Sequence, residues 1–208
     1  MLQAQTVKPG TYALLKQLMI LPELTDFHLV GGTALSLLYG HRESIDLDLF
    51  CPLRFDSEII DQTLRSAYRE KYITDESNPS FGIFCYIDSI KVDLVKYRSP
   101  VIRPVKEIEG IRMFSVEDIM AMKIQAILGR GRKKDFWDIA ELLEHYSVQD
   151  FVNFHKEKFS TQNLLITVPQ AMLFFEDADE DENPVSLKGQ TWESVKSKIR
   201  KEVRAYLN

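Results

Sequence analysis

The sequence contains few of the residues that build disulfide or metal frameworks. It has only 2 cysteines and 4 histidines in 208 residues, and Cys51 and Cys85 lack the spacing of a zinc ligand pair. We therefore expect both thiols to be reduced and buried. No apolar run approaches the ~18–20 residues that cross a bilayer, and the N-terminus lacks the charged-then-apolar pattern of a signal peptide. These absences predict a cytoplasmic protein with no membrane partner.

A strong excess of positive charge is also missing. The net charge of −5 argues against broad electrostatic binding of nucleic acid, although a local basic patch is compatible with it. By contrast, 45% of the residues are hydrophobic, including 12 Phe and 8 Tyr, which is enough to bury a core in one or two domains.

The hydrophobic periodicity changes near residue 114, which predicts an α+β protein: a region of mixed strands and helices over 1–114 and a mainly helical region over 115–208. An Asp88-Ser89 turn is expected to join two strands as a hairpin. The predicted strands are 27–30, 45–50, 80–87 and 90–97, with an edge strand at 110–114. The predicted helices are 11–21, 33–39, 56–72, 116–128, 135–146 and a surface helix over 195–204, and the acidic run 176–182 is expected to be a loop.

Three aspartates lie on predicted strands. In 45–50 the alternation sets Ile45 with the leucines on one face and Asp46 and Asp48 on the other, roughly 6.6–7 Å apart along the strand. If Asp93 faces the same side of a neighbouring strand, three carboxylates converge as in a two-metal phosphoryl transfer site. The alternative is that these aspartates only form a solvated face.

A Gly31-Gly32 pair joins the strand at 27–30 to the helix at 33–39. Glycines let backbone N–H groups approach a triphosphate closely, and the N-terminus of a helix favours negative charge. Thr33 adds a hydroxyl at the same turn. A simple tight turn without a ligand is the alternative.

Lys123 lies in the otherwise apolar helix 116–128. It either extends its ammonium to water or points into a polar cleft, where it can pair with a triphosphate.

Helix 56–72 is expected to turn Ile59 inward. Asp135 and Asp138 either have a functional role or counter the dipole at the start of the next helix.

Basic residues surround two glycines between the predicted helices 116–128 and 135–146. They form either a solvated loop or a contact with the backbone of an RNA acceptor. His41 and Arg42 precede the acidic strand, where they either contact substrate or order a turn through Ser44. The basic cluster comprises Arg130, Arg132, Lys133 and Lys134.

The stretches GGTAL at 31–35 and GHRxSxDLDxF at 40–50 resemble the signature of the AbiEii/AbiGii toxin family of nucleotidyltransferases, within the DNA polymerase β-like superfamily. The similarity continues through Lys123, KDxxD at 134–138, FFEDA at 174–178, Pro184 and Thr191-Trp192. The resemblance implies the minimal nucleotidyltransferase fold, which is a mixed β-sheet with flanking helices, and use of Mg²⁺ or Mn²⁺ with a nucleoside triphosphate. It also implies an antitoxin protein encoded nearby, in a bacterial type IV-like toxin–antitoxin or phage-defence system.

The same resemblance implies roles for individual residues. Asp46, Asp48 and Asp93 would be the catalytic carboxylates and metal ligands, with Asp93 either a ligand or the base for the acceptor hydroxyl. Residue type, position and the resemblance together predict a nucleotide-binding set of Gly31, Gly32, Thr33, Arg42 and Lys123. Lys134, Asp135 and Asp138 would bind the acceptor or be structural.

The leading hypothesis is an enzyme that transfers a nucleoside monophosphate from a triphosphate to a hydroxyl. The acceptor is left open between RNA, including tRNA, protein and a small molecule. Glycosyl transfer from a metal-bound nucleotide sugar is an alternative that leaves Gly-Gly-Thr and Asp93 unexplained. The second alternative is a catalytically silent module on the same scaffold that binds a nucleotide or a partner.

Overall fold

A computed structural model describes residues 1–74 and 80–208. The chain divides into two compact units, each built from several segments. The first, the sheet unit, comprises Met1–Leu38, Ser44–Ser99 and Val105–Phe114. The second, the helical unit, comprises Tyr39–Glu43, Pro100–Pro104 and Ser115–Asn208.

Within the described residues, the sheet unit holds one mixed sheet of seven strands in the order β3-β4-β5-β2-β1-β7-β6. The central strands β2 and β5 are parallel, and β1 runs antiparallel to β2. The strands are β1 (His28–Leu29), β2 (Leu47–Cys51), β3 (Tyr72–Thr74), β4 (Gly82–Ile87), β5 (Ile90–Lys96), β6 (Lys106–Ile108) and β7 (Ile111–Met113). The predicted α+β class is confirmed.

The hairpin of β4 and β5 follows from its two-residue turn. Asp88 and Ser89 have φ of 52° and 66°, and this left-handed backbone matches the twist of the flanking strands. Val92 and Leu94 are fully buried on the core face of β5. The Asp93 side chain, which lies between them, therefore projects from the opposite face of the strand.

The α-helices that begin in the described part of the sheet unit are α1 (Pro9–Met19), α2 (Gly31–Tyr39) and α3 (Ser57–Tyr68). Asp56 caps α3, because its carboxylate accepts the N–H groups of Glu58 and Ile59. Helix α1 packs on β7, and α3 packs on β3 and β4.

The helical unit is built around α4 (Val116–Gly129), which Ser115 caps by accepting the N–H of Asp118. Helix α4 packs on three of its neighbours, α5, α6 and α7. The C-terminal helix buries one stripe made of Val195, Ile199 and Val203. The other helices are α5 (Lys133–Leu142), α6 (Val148–Lys158), α7 (Val168–Leu173), α8 (Glu176–Asp179) and α9 (Trp192–Leu207).

Four local expectations are wrong. Strand β2 begins at Leu47, so Ile45 precedes it and is 61% exposed, because strand alternation does not apply outside the ladder. Ile59, on the first turn of α3, is exposed instead of inward. Strand β7 lies between β1 and β6, and the polar strand β6 forms the edge. The acidic run 176–182 begins with the short helix α8 rather than a loop.

Cys51 and Cys85 are free, buried thiols, as predicted. No helix in the described part of the chain combines the length and apolarity needed to span a bilayer.

Candidate functional site

Asp48 and Asp93 are direct partners in the register of the central parallel strands β2 and β5. Neighbouring strands lie about 4.8 Å apart, and residues in register project from the same face of a sheet. Both side chains are partly buried, and each is flanked along its strand by buried aliphatic residues on the opposite face. Two carboxylates more than forty residues apart in sequence are therefore side by side.

Asp46 precedes β2 and is held through its main chain. The Thr33 hydroxyl donates a hydrogen bond to the Asp46 carbonyl at 2.5 Å and lies 2.8 Å from the Ser44 hydroxyl. Because Thr33 has a single hydroxyl proton, Ser44 is the donor in the second bond. The buried Thr33 side chain thus fixes the segment that carries Asp46, and only its backbone N–H is left for a role in phosphate binding.

The start of α2 touches the acidic strand at Gly31. Its φ of 69° is left-handed, and a Cβ built on it would lie 2.9 Å from the Asp48 Oδ2 atom. A hydrogen bond beside it confirms that the start of α2 lies next to β2: the Val30 N–H donates to the Asp48 carbonyl at 2.9 Å. The first turn of a helix leaves its N–H groups without intrahelical partners, and these groups favour anions. The structure thus brings Gly31 against one of the predicted metal ligands.

Sequence reasoning missed Lys91. Its Nζ lies 2.6 Å from the Asp93 Oδ2 atom, and its side chain is 42% exposed. Burial opposes the charged ammonium, but the hydrogen bond to Asp93 and the charges of Asp93, Asp48 and Asp46 outweigh it and raise the pKa of Lys91. Lys91 is therefore the counter-charge of Asp93, and it is also attracted by the charges of Asp48 and Asp46. The available signal was its position two residues before Asp93 on the same face of the strand.

The donor chemistry of these residues fits a divalent cation. The Asp93 Oδ1 atom is buried and lacks a hydrogen-bond partner within the described residues, while Asp48 lies next to it in register. Carboxylate oxygens are the ligands that Mg²⁺ takes from proteins. In residues 1–74 and 80–208, however, no three Asp, Glu, His or Cys side chains are already grouped as a metal centre. Convergence of Asp46, Asp48 and Asp93 on one ion stays a prediction.

The helical unit contains a buried ionic cluster centred on Asp138. Arg42 binds this carboxylate in bidentate fashion, through Nε at 2.7 Å and Nη2 at 2.9 Å, and His41 Nε2 lies 2.7 Å from Oδ1. Lys123 completes the cluster, with its Nζ 2.6 Å from the Asp138 Oδ2 atom. Burial opposes ionisation of Asp138, yet the charges of Arg42 and Lys123 hold its pKa well below the usual range.

Lys123 does not extend to water. Its side chain is 8% exposed, and its ammonium also binds Asp135 at 2.8 Å. Burial acts against the charge, but the two aspartates outweigh it and raise the pKa of Lys123. Asp135 and Asp138 are thus joined by one lysine, and Asp135 also lies in the first turn of α5.

The basic cluster between α4 and α5 is divided in two. Lys133 is buried and donates to the carbonyls of Asp179 and Asp181, so it is a structural residue. Arg130 and Arg132 are exposed, and Lys134 is half-buried.

The sequence profile of a family described as nucleotidyl transferase AbiEii toxin, type IV toxin–antitoxin system, matches residues 13–206. The chain belongs to the AbiEii toxin family of nucleotidyltransferases. The chain is also similar to an uncharacterized protein of Aquifex aeolicus (strain VF5). The two are 33% identical over 192 residues, and the alignment covers 88% of each chain. The family predicted from the two signature stretches is confirmed.

Solved structures resemble this AbiEii-family protein in fold. MenT4, a nucleotidyltransferase toxin from Mycobacterium tuberculosis H37Rv, has a TM-score of 0.63 at 14% identity, over 94% of this chain and 84% of MenT4. JHP933 from Helicobacter pylori has a TM-score of 0.57 at 19% identity, over 99% and 93% of the two chains. At these identities the likeness shows the shared fold alone.

Proposed function

We propose that this AbiEii-family protein transfers a nucleoside monophosphate from a nucleoside triphosphate to a hydroxyl acceptor, with a divalent metal ion, Mg²⁺ or Mn²⁺. The observation that carries the proposal is the Asp48–Asp93 register pair, placed against the start of α2 at Gly31. Acidic side chains for a metal and backbone donors for a phosphate then belong to one site.

The phosphate end of the site is the first turn of α2. The N–H groups of Gly32 and Thr33 would hold phosphate oxygens, because the helix N-terminus carries partial positive charge. Thr33 contributes through its backbone, since its hydroxyl fixes the Asp46 segment.

The acidic end of the site is formed by Asp46, Asp48 and Asp93, which would hold the metal. The chemistry that a divalent ion supplies when bound is polarisation of the phosphoryl oxygens and neutralisation of the charge on the leaving group. The acceptor oxygen forms a bond to the α-phosphorus as the bond to the bridging oxygen breaks, and pyrophosphate leaves. The hydroxyl proton has a suitable acceptor in Asp93 Oδ1, which has no hydrogen-bond partner within the described residues.

Arg42 and Lys123 are proposed triphosphate contacts on the basis of the family signature. Both cations are bound to Asp138 in the structure, so such a contact requires them to exchange a carboxylate partner for phosphate. The same pairing supports a structural role for Asp135 and Asp138. Lys134, with the exposed arginines of its cluster, is proposed to meet the acceptor.

RNA, including tRNA, is the acceptor class we propose, because two exposed arginines precede α5. We further propose that the protein is the toxin of a type IV-like toxin–antitoxin or phage-defence pair and has a cognate antitoxin protein.

A catalytically silent binding module is the second candidate. Lys91 already neutralises part of the acidic face, and no three metal-ligand side chains are pre-grouped in the described residues. Such a protein would bind triphosphate without transferring any part of it.

The two candidates are separated by incubating the protein with each α-labelled triphosphate, Mg²⁺, and total cellular RNA and protein. The proposed enzyme labels one acceptor class, and replacing both Asp46 and Asp48 with Asn lowers labelling to background while the fold is retained. The matched control is Asp88→Asn, which changes an exposed aspartate in a turn where Asn is tolerated. Full labelling by the double variant would refute the proposal, and triphosphate binding without labelling by the wild type would favour the module.

A further inference from the structure

We propose that Lys91 is an internal counter-cation that competes with the divalent metal ion for the Asp93 carboxylate and so sets the metal affinity of the site. The inference rests on the metal-dependent function proposed above. It concerns a residue that neither the signature stretches nor the predicted site includes.

The contact between Lys91 and Asp93 is built into the strand. Both residues lie on one face of β5, two positions apart, and the ammonium reaches Asp93 Oδ2 at 2.6 Å. The Asp93 side chain is only 13% exposed. A carboxylate with so little water around it is costly to leave without a cation, so Lys91 stabilises the metal-free site.

The same contact opposes metal binding. While the ammonium is bound to Oδ2, only the buried Oδ1 atom of Asp93 is left for a cation that needs ligands at about 2.0–2.1 Å, and the adjacent positive charge of Lys91 repels that cation. The positive charge of Lys91 also lies among the aspartates that would attract the ion, as its interactions with Asp46 and Asp48 indicate.

Lys91 is able to leave. Its side chain is 42% exposed, whereas Asp93 is fixed in the central sheet. A lysine ammonium on a flexible four-carbon stem is readily hydrated, so release to water is cheaper for Lys91 than displacement is for Asp93. The metal-free and metal-bound sites therefore differ in the position of one side chain.

The test is direct Mn²⁺ binding to the full chain at fixed pH, measured by electron paramagnetic resonance of the free ion and by calorimetry. Lys91→Met keeps the apolar stem and removes the charge, so we expect it to bind Mn²⁺ roughly tenfold more tightly than the wild type. Lys91→Arg keeps the charge and should retain affinity near that of the wild type. The matched control is Lys71→Met, which removes another partly exposed lysine bound to an aspartate in the same unit.

A second readout is urea unfolding in EDTA and in saturating Mn²⁺. Lys91→Met should be less stable than the wild type in EDTA, and Mn²⁺ should restore most of the loss. If Lys91→Met is too unstable to purify, Lys91→Gln supplies a neutral donor for Asp93 and the same comparison.

Equal or weaker Mn²⁺ binding by the charge-free variants would overturn the role of Lys91 and leave the proposed function intact. Absence of Mn²⁺ binding in the wild type and in every variant would overturn both the role of Lys91 and the metal dependence of the proposed function.

Discussion

Gly31→Ala tests whether the start of α2 and the acidic strand form one site. The added Cβ would lie 2.9 Å from Asp48 Oδ2, and ordinary contact begins at 3.4 Å, so the carboxylate must move by about 3.4 − 2.9 = 0.5 Å. The substitution also forces alanine into a left-handed backbone with φ of 69°. It therefore perturbs both stability and the position of a proposed metal ligand.

The backbone part of the effect has a matched control in Gly110→Ala. Gly110 has φ of 78° and nothing within 4 Å of an added Cβ. At each position the left-handed backbone costs about 1–2 kcal/mol, and the lower entropy of the unfolded chain returns about 0.4–1 kcal/mol. Gly31→Ala should cost at most about 1.5 kcal/mol more than Gly110→Ala, the energy of turning the Asp48 side chain off its rotamer.

The functional part should be larger than the difference in stability. A misplacement of about 1 Å costs about 100-fold in rate, so half of that displacement should lower transfer of labelled nucleotide roughly tenfold. Mn²⁺ affinity should fall in the same variant, while Gly110→Ala keeps both. Urea unfolding, Mn²⁺ binding and labelling measured on the same three proteins give the comparison. Equal activity of the two alanine variants would refute the proposed contact between Gly31 and the site.

The buried cluster and the thiols give two further predictions. Asp138→Asn should destabilise the protein by about 3–5 kcal/mol in urea, because Arg42 and Lys123 lose their shared carboxylate, and Asp135→Asn should cost less. The lowered pKa of Asp138 stabilises the folded protein at pH values above the pKa of this group in the unfolded chain, about 3.9. That contribution is lost as the pH falls from this value through the lower pKa of the folded protein. The free energy of unfolding should therefore fall less steeply with decreasing pH in Asp138→Asn than in the wild type. An equal slope of the unfolding free energy against pH below this value in the wild type and the variant would contradict this. Burial raises the pKa of the Cys85 thiol to about 12 and also raises that of Cys51, so neither should react with iodoacetamide at pH 8 until the protein is unfolded; labelling of the folded protein, followed by mass spectrometry, would contradict it.

Elements with local signals were predictable. The hairpin of β4 and β5 follows from alternation on both sides of a two-residue turn, and α3 and α4 start at Asp56 and Ser115, which are good N-caps. Strand β6 was not predicted, because its three residues carry no apolar alternation. Apolar character predicts Ile45 and Ile59 to face inward, but both are exposed, because it does not show where a strand begins or which face of a helix is covered.

The candidate site was only partly predictable. Residue type and spacing indicate the aspartates and glycines, but they do not single out Lys91, because a lysine near an aspartate on a strand is common on solvated faces. The sequence also does not predict which residues contact Asp138. Arg42 precedes it by 96 residues, and no local pattern links the two.

The sequence by itself determined the α+β class and the family and indicated candidate acidic residues, because periodicity, turn chemistry and the signature stretches are local properties of the chain. Only the tertiary structure decided that Asp48 meets Asp93 and that Gly31 lies against Asp48. Along the chain, α3, β3 and β4 lie between β2 and β5, so the register of the two strands depends on how those elements pack. Alternation fixes the face on which a side chain lies, and packing alone fixes its neighbour across the sheet.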